Sequence, residues 1–127
     1  MLDSLRGTLA RKDADEAVVE TAAGLAFVLS VPASTFAALP EPGQPVHLFT
    51  HMAFNTQEGE FALYGFATPM EREVFRIFLG ISGIGPRKGL MIFSQVKIAD
   101  FAQAIQDRNI AYLSSLKGIG TKTAERL

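Results

Sequence analysis

Two short glycine-rich segments near the C-terminal end have residue types and spacing that indicate binding chemistry. The first spans 82–90 and reads SGIGPRKGL, and the second spans 117–124 and reads KGIGTKTA, with Gly118 lying 35 residues after Gly83. Each segment is a Gly-apolar-Gly turn that opens into a predicted helix with a cation in its first turn. Glycines let the backbone approach a charged ligand, and a helix start presents unpaired N–H groups and the positive end of the helix dipole. Two such anion sites in one small unit indicate a phosphodiester backbone rather than one small phosphate.

The candidate phosphate-binding residues are the glycines of the two turns and the polar or basic residues beside them. They are Gly83, Gly85, Arg87, Lys88, Lys117, Gly118, Gly120, Thr121 and Lys122. Ile84 and Ile119, in the middle of each turn, are expected to point into the core and leave the neighbouring N–H groups facing outward. Backbone contacts of this kind position a protein on DNA without reading bases, so binding should be indifferent to sequence. For one copy alone, an ordinary turn glycine would be the better interpretation; two copies in register favour DNA.

The periodicity of the chain predicts the elements that position these segments. Residues 1–66 contain five short β-prone runs, at Leu5–Leu9, Ala17–Thr21, Leu25–Val31, Val46–Phe54 and Phe61–Phe66. Turn-rich stretches separate them. Five strands in under 70 residues favour a small closed barrel of the OB type. The first predicted domain is therefore a barrel at 1–66.

The pattern changes from strands to helices at Thr68. Thr68 as N-cap, Pro69 at the first helical position and Glu71 as capping-box partner predict a helix start. Further short helices are predicted at about Arg87–Ser94, Ala99–Asp107 and Ile110–Leu116. The second predicted domain, 67–127, is all-helical and carries both turns, and the fold class is α+β. Because Leu127 lies barely two turns into the last helix, we expect the chain to stop inside a longer protein.

Charge is distributed unevenly along a chain whose formal net charge is only −1. Residues 1–70 carry a net charge of −5 and residues 71–127 a net charge of +4, which places the cations with the glycine turns. The 127 residues contain no cysteine, which excludes disulfides and thiolate metal sites. Neither a signal-peptide pattern nor an apolar stretch of membrane-spanning length is visible. We therefore expect a cytoplasmic protein without membrane contact.

The order of several motifs resembles the RuvA family, the Holliday-junction-binding subunits of the bacterial branch-migration complex. The motifs are Leu5-Arg6-Gly7, Leu63-Tyr64-Gly65-Phe66, Gly83-Ile84-Gly85-Pro86 and the run 117–127. The resemblance covers essentially the whole chain and implies an N-terminal OB barrel followed by a tandem helix-hairpin-helix domain.

The resemblance also implies the biological setting. It implies sequence-independent binding of four-way junctions in recombination and DNA repair, by a homotetramer or an octamer. The chain itself would not be an enzyme and would need no cofactor. ATP and magnesium would be used by the hexameric RuvB ATPase, which would be engaged through a C-terminal domain beyond this chain. The RuvC resolvase is a further implied partner.

Between Phe54 and Phe61 lies a polar loop with two glutamates, Glu58 and Glu60. In the family this hairpin carries an acidic pin, a pair of carboxylates per subunit at the centre of the tetramer. The resemblance gives this role to Glu58 and Glu60, which would repel phosphates at the crossover and hold the junction open. Without the resemblance, they would be ordinary glutamates of a solvated turn.

A metal site and several other DNA-related functions are alternatives to this interpretation. His47 and His51 on one strand would lie about 13 Å apart, at ~3.3 Å per residue, which is too far for one metal ion. A helix-hairpin-helix DNA glycosylase would need a catalytic carboxylate, for which Asp100 and Asp107 are the candidates after the first turn. A generic duplex-binding module and a single-strand binder that uses the barrel face are further alternatives. The net acidic barrel half speaks against the single-strand binder, because stacking platforms lie in basic grooves.

Overall fold

The computed structural model describes residues 2–81 and 83–115, and within these ranges the chain forms five strands and five helices. The strands are β1 (Ser4–Asp13), β2 (Glu16–Glu20), β3 (Ala26–Ser30), β4 (Pro45–Asn55) and β5 (Glu60–Phe66). The helices are α1 (Ala33–Ala38), α2 (Pro69–Leu79), α3 (Pro86–Phe93), α4 (Ile98–Gln106) and α5 (Ile110–Ser115). The predicted α+β class, with strands first and helices second, is confirmed.

The strands form a closed barrel in the order β1-β2-β3-β5-β4, with β4 pairing back to β1. All the neighbouring strands are antiparallel except β3 and β5, which are parallel. Within the described strands, Ser30 opposite Tyr64 is the one position at which β3 and β5 pair. Ala14 and Asp15 join β1 to β2 in a two-residue turn, and their φ angles of 45° and 68° are those of the type I′ turn that matches the twist of a hairpin. The predicted small barrel is therefore confirmed.

The barrel core consists of aliphatic side chains from the strands and from the segments that flank α1. Its buried members are Leu5, Leu9, Ala17, Val19, Leu29, Val31, Leu39 and Leu48. Gly7 lets β1 and β2 approach closely, because a Cβ there would lie 2.2 Å from the carbonyl oxygen of Glu20. The glycine of the Leu5-Arg6-Gly7 motif is therefore needed for the close packing of β1 against β2.

Helix α1 was not predicted from the sequence. Its six residues are too few to show a helical repeat of apolar residues. Thr35 of this helix is fully buried, donates a hydrogen bond to the Glu71 carboxylate at 2.8 Å and accepts one from the Ala67 N–H at 3.1 Å. The hydroxyl therefore ties α1 to the segment that leads from β5 into α2.

The predicted start of α2 is confirmed at Pro69, and Thr68 Oγ1 accepts the Glu71 N–H at 3.2 Å as an N-cap. The carboxylate of Glu71 binds the Thr35 hydroxyl. Arg72 in the same turn donates to the Asp3 carbonyl at 2.7 Å and to its carboxylate at 3.0 Å. The first turn of α2 is thus bound to the barrel, and the chain divides into two compact units between Arg72 and Glu73. The predicted division had been placed between residues 66 and 67.

The helical unit has its own core of aromatic and aliphatic side chains. Phe75, Phe78, Ile92, Phe93 and Phe101 are fully buried. The rings of Phe78 and Phe101 lie 4.8 Å apart between centroids, which joins α2 to α4. This core supports the turn between α2 and α3.

Candidate nucleic-acid interface

The first glycine turn connects α2 to α3, as predicted. The Ile84 side chain is only 6% exposed and its N–H donates to the Ile81 carbonyl at 3.1 Å, whereas Gly83 and Gly85 are exposed. The expectation that the middle isoleucine is buried is confirmed for this turn. The buried isoleucine fixes the loop on the core, and the flanking backbone is left at the surface.

The two glycines differ in what they require of the backbone. Gly83 has φ +88°, a conformation that side-chain-bearing residues rarely adopt. Gly85 has φ −87° and ψ 177°, which is ordinary extended backbone. Apart from the chain neighbours, no described residue has an atom within 4 Å of a Cβ placed at either position. Chain geometry therefore requires glycine at 83 but not at 85, where the absent side chain leaves open space in front of the backbone.

Helix α3 begins at Pro86, directly after Gly85. Gly85 is its N-cap, no side chain of the described residues caps the helix, and Pro86 stands in the first turn. Arg87 and Lys88 in that turn are exposed. Gly89 is buried, and a Cβ there would lie 3.4 Å from the ring of Phe75. The helix start presents backbone donors and two cations, while the next residue packs on the core.

The second glycine turn lies outside the described residues. The predictions for Lys117, Gly118, Gly120, Thr121 and Lys122 as phosphate contacts therefore stay predictions, and so does the burial of Ile119. The helix that leads toward them, α5, is described: the Asn109 side chain accepts the Tyr112 N–H at 3.0 Å and caps its start.

The β4–β5 hairpin carries Glu58 and Glu60 at its tip, and both residues are exposed. Asn55 Oδ1 accepts the N–H groups of Gln57 at 2.9 Å and Glu58 at 3.1 Å, and the Gly59 N–H donates to the Asn55 carbonyl at 2.8 Å. These bonds fix the loop: Glu58 lies in the turn and Glu60 begins β5 opposite Asn55. The two carboxylate-bearing residues therefore sit at one ordered tip, separated by Gly59.

The same tip carries an aromatic pair that was not predicted from the sequence. Phe54 and Phe61 lie opposite each other on β4 and β5, with ring centroids 4.9 Å apart, and both are exposed. The available signal concerned only the pairing of the two residues, because the phenylalanines flank the polar loop symmetrically.

The remaining candidates lie elsewhere. His47 packs on the ring of Phe49 at 4.6 Å between centroids. Asp100 and Asp107, the carboxylates that a glycosylase would need, stand exposed at opposite ends of α4, and Asp107 accepts hydrogen bonds from Gln103 at 3.1 Å. Across residues 2–81 and 83–115, no three His, Asp or Glu side chains lie close enough to hold a metal ion. No described helix has both the length and the apolar character needed to cross a bilayer.

Comparison with known families assigns the barrel half of the chain. The family model described as the RuvA N-terminal domain matches residues 1–65, about half of the chain. The chain belongs to the RuvA N-terminal domain family. A second model, described as the SAM-like helix-hairpin-helix tandem, matches residues 75–127. The second match includes both glycine turns, and together the two matches agree with the barrel-then-helices order of the fold.

The chain is similar to curated RuvA proteins along all of its 127 residues. Proteins named Holliday junction branch migration complex subunit RuvA are 42% identical in Aromatoleum aromaticum, 43% in an Azoarcus species and 44% in Leptothrix cholodnii. Each match covers the whole of this chain and 62%, 62% and 65% of the relative, respectively. The chain thus spans somewhat less than two thirds of the length of these relatives.

Proposed function

We propose that this chain binds four-way DNA junctions without sequence preference, as the DNA-binding subunit of a branch-migration complex in recombination and repair. Membership of the RuvA N-terminal domain family supports this proposal. The observation that carries it is the first glycine turn, in which exposed Gly83 and Gly85 flank a buried Ile84. The turn leads into a helix that no described side chain caps and that begins with two exposed cations.

The turn has the chemistry of a phosphate contact. A phosphate oxygen can approach the Gly85 backbone because, within the part of the chain that the structure describes, no side chain from beyond its immediate neighbours occupies the space there. The start of α3 adds N–H donors and the positive end of the helix dipole, and the two cations add charge. All these groups recognise the DNA backbone, so the contact depends on the shape of the DNA and not on its bases.

The acidic tip supplies discrimination in this proposal. Two unit charges 4 Å apart interact by about 4 kcal/mol at an effective dielectric of about 20. Carboxylates of Glu58 and Glu60 that face crossover phosphates would therefore disfavour a continuous duplex at the centre of the complex. A four-way junction has an open centre and tolerates them.

The proposal extends to assembly and partners. We propose a homotetramer or octamer, in which several copies of the tip surround the crossover. ATP hydrolysis belongs in this scheme to the RuvB motor, with magnesium, and RuvC is the resolvase that acts on the same junction. This chain contributes DNA binding and no catalysis.

The test is a paired titration of the 127-residue chain with a labelled four-way junction and a linear duplex of the same sequence. Fluorescence anisotropy at about physiological salt should show at least roughly tenfold tighter binding to the junction, or about 1.4 kcal/mol. Light scattering of the same samples should show a tetramer or an octamer. Equal affinity for the two DNAs would leave a generic helix-hairpin-helix duplex binder and refute the junction proposal.

A further inference from the structure

An aromatic pair stands exposed at the tip of the β4–β5 hairpin. Phe54 is 50% exposed and Phe61 is 70% exposed, although their rings contact each other at 4.9 Å between centroids with planes inclined by 56°. A cross-strand aromatic contact stabilises a hairpin modestly. Two neighbouring phenylalanines exposed to this degree form an apolar patch that a binding partner could cover.

The patch lies on a ribbon that projects from the barrel. The N-terminal segment contacts β4 as far as Thr50, whose N–H donates to the Asp3 carbonyl at 2.9 Å, and β3 meets β5 at Tyr64. In the described pairings beyond these points, β4 and β5 pair only with each other, through Asn55 opposite Glu60. The ribbon can therefore reach a partner with both of its faces.

The two faces of the ribbon differ in chemistry. Side chains alternate between faces along a strand, so Phe54 and Phe61 share one face and the neighbouring pair, Asn55 and Glu60, occupies the other. Glu58 lies in the loop that closes the ribbon. The aromatic face is thus bordered at its tip by carboxylate-bearing residues.

These carboxylates restrict what can cover the rings. A phosphate backbone would be repelled, and a second copy of the same tip would bring its own glutamates against these. A neutral, planar and apolar surface fits, and the face of a nucleobase has that chemistry. In a four-way junction held open, the base pairs that flank the crossover have lost one stacking neighbour, so such faces are exposed there.

We propose that Phe54 and Phe61 form a stacking surface for the bases that flank the crossover of a bound junction. This inference depends on the proposed junction binding and adds a base contact to a backbone-reading protein. The glutamates keep phosphates away from the tip, and the rings hold the exposed bases. Every base has a π-face, so this contact is compatible with sequence-independent binding.

A single introduced tryptophan tests the proposal, because the chain contains none. The Phe61→Trp variant places the only tryptophan in the aromatic pair. The control is Leu25→Trp, at a residue that is 59% exposed in the β2–β3 connection. Both variants are titrated with an intact junction, with the same junction carrying abasic sites beside the crossover, and with linear duplex, while anisotropy of the labelled DNA reports binding.

In the Phe61→Trp variant, we expect the intact junction to quench the tryptophan emission and to protect the indole from acrylamide. The emission of the Leu25→Trp control should be unchanged. The abasic junction should bind the Phe61→Trp variant but restore most of its emission and acrylamide access. The double variant Phe54→Val, Phe61→Val keeps β-prone residues and should bind the intact junction roughly 5- to 150-fold more weakly, the range for one stacked base. On the abasic junction it should match the parent chain.

Three results would overturn the proposal. Equal protection by intact and abasic junctions would mean that the rings contact backbone or sugar. Protection that grows with protein concentration in the absence of DNA would assign the patch to a second copy. Tight junction binding by the Phe61→Trp variant with its indole fully accessible would leave the rings as hairpin stabilisers. If the anisotropy titration shows no preference for the junction over duplex, the proposed function itself is refuted. The tryptophan fluorescence data alone would not give this result.

Discussion

Replacing Gly85 by alanine separates folding from DNA binding at the first glycine turn. The backbone there, at φ −87° and ψ 177°, is allowed for alanine, and among the described residues only the chain neighbours would have atoms within 4 Å of the new methyl group. A Gly-to-Ala change at a compatible position restricts the unfolded chain and stabilises the fold by about 0.4–1 kcal/mol. We therefore expect Gly85→Ala to unfold at the same or a slightly higher urea concentration.

Binding should respond in the opposite direction. If a phosphate occupies the open space in front of Gly85, the methyl group displaces it from the backbone N–H groups. The loss of one hydrogen bond to a charged group is worth about 1.5–3 kcal/mol, or roughly 10- to 150-fold in Kd. Anisotropy with a labelled four-way junction measures this change, and urea unfolding of the same preparation measures the stability.

Gly83→Ala is the matched comparison. Its φ of +88° is costly for alanine, by roughly 1–2 kcal/mol, so this variant should lose stability as well as affinity. The contrary result would be a Gly85→Ala variant that is fully folded and binds the junction as tightly as the parent chain. In that case the open space is not where DNA lies.

Three other substitutions have defined outcomes. Replacing Arg87 and Lys122 together by glutamine should lower the slope of log K against log salt by about 0.9 for each phosphate that the variant no longer neutralises, as measured by titrations over a series of salt concentrations. Replacing Glu58 and Glu60 together by glutamine should tighten binding to both junction and duplex and reduce the ratio of the two affinities, because repulsion at the tip is removed. Thr35→Val should lower the free energy of unfolding by about 2–4 kcal/mol, because two hydrogen bonds of a buried hydroxyl are removed, and urea denaturation checks this value.

The cation variant and the Thr35 variant each have a control in the same chain. Lys97→Gln removes a cation from the start of α4, where no glycine turn precedes the helix, and should leave the salt slope unchanged. Thr8→Val lies at an exposed position of β1 and should change stability by no more than about 0.5 kcal/mol. An unaltered slope in the Arg87 and Lys122 variant would make those cations ordinary solvated residues. An unaltered junction-to-duplex ratio would do the same for the glutamates of the tip.

The sequence predicted those elements whose patterns are local. Alternation and turn residues located five strands, and Thr68-Pro69 located the start of α2 to the residue. The burial of Ile84 followed from its place between two turn glycines. Helix α1 could not be found in this way, because it is too short for periodicity and is held by Thr35, whose hydrogen bonds form only when the chain folds.

The aromatic face of the ribbon was missed for a different reason. Alternation alone places Phe54 and Phe61 on the barrel-facing side of their strands, which predicts burial. They are exposed because β4 extends past the end of its pairing with β1. How far β4 extends beyond its pairing with β1 depends on the register between segments that are distant in the sequence. A local sequence pattern does not predict that register.

The single parallel pairing between β3 and β5 has a consequence for how the barrel opens. Closing a sheet removes its edges, but in the described strands this closure has one paired position, Ser30 opposite Tyr64, against five between β1 and β2. Local opening should start there, since the fewest backbone bonds must break. Amide hydrogens along this seam of the native barrel should therefore exchange with solvent long before those between β1 and β2. In solution, the barrel would open locally between β3 and β5 while its other strand pairs stay formed, and its stability would not be uniform around the sheet.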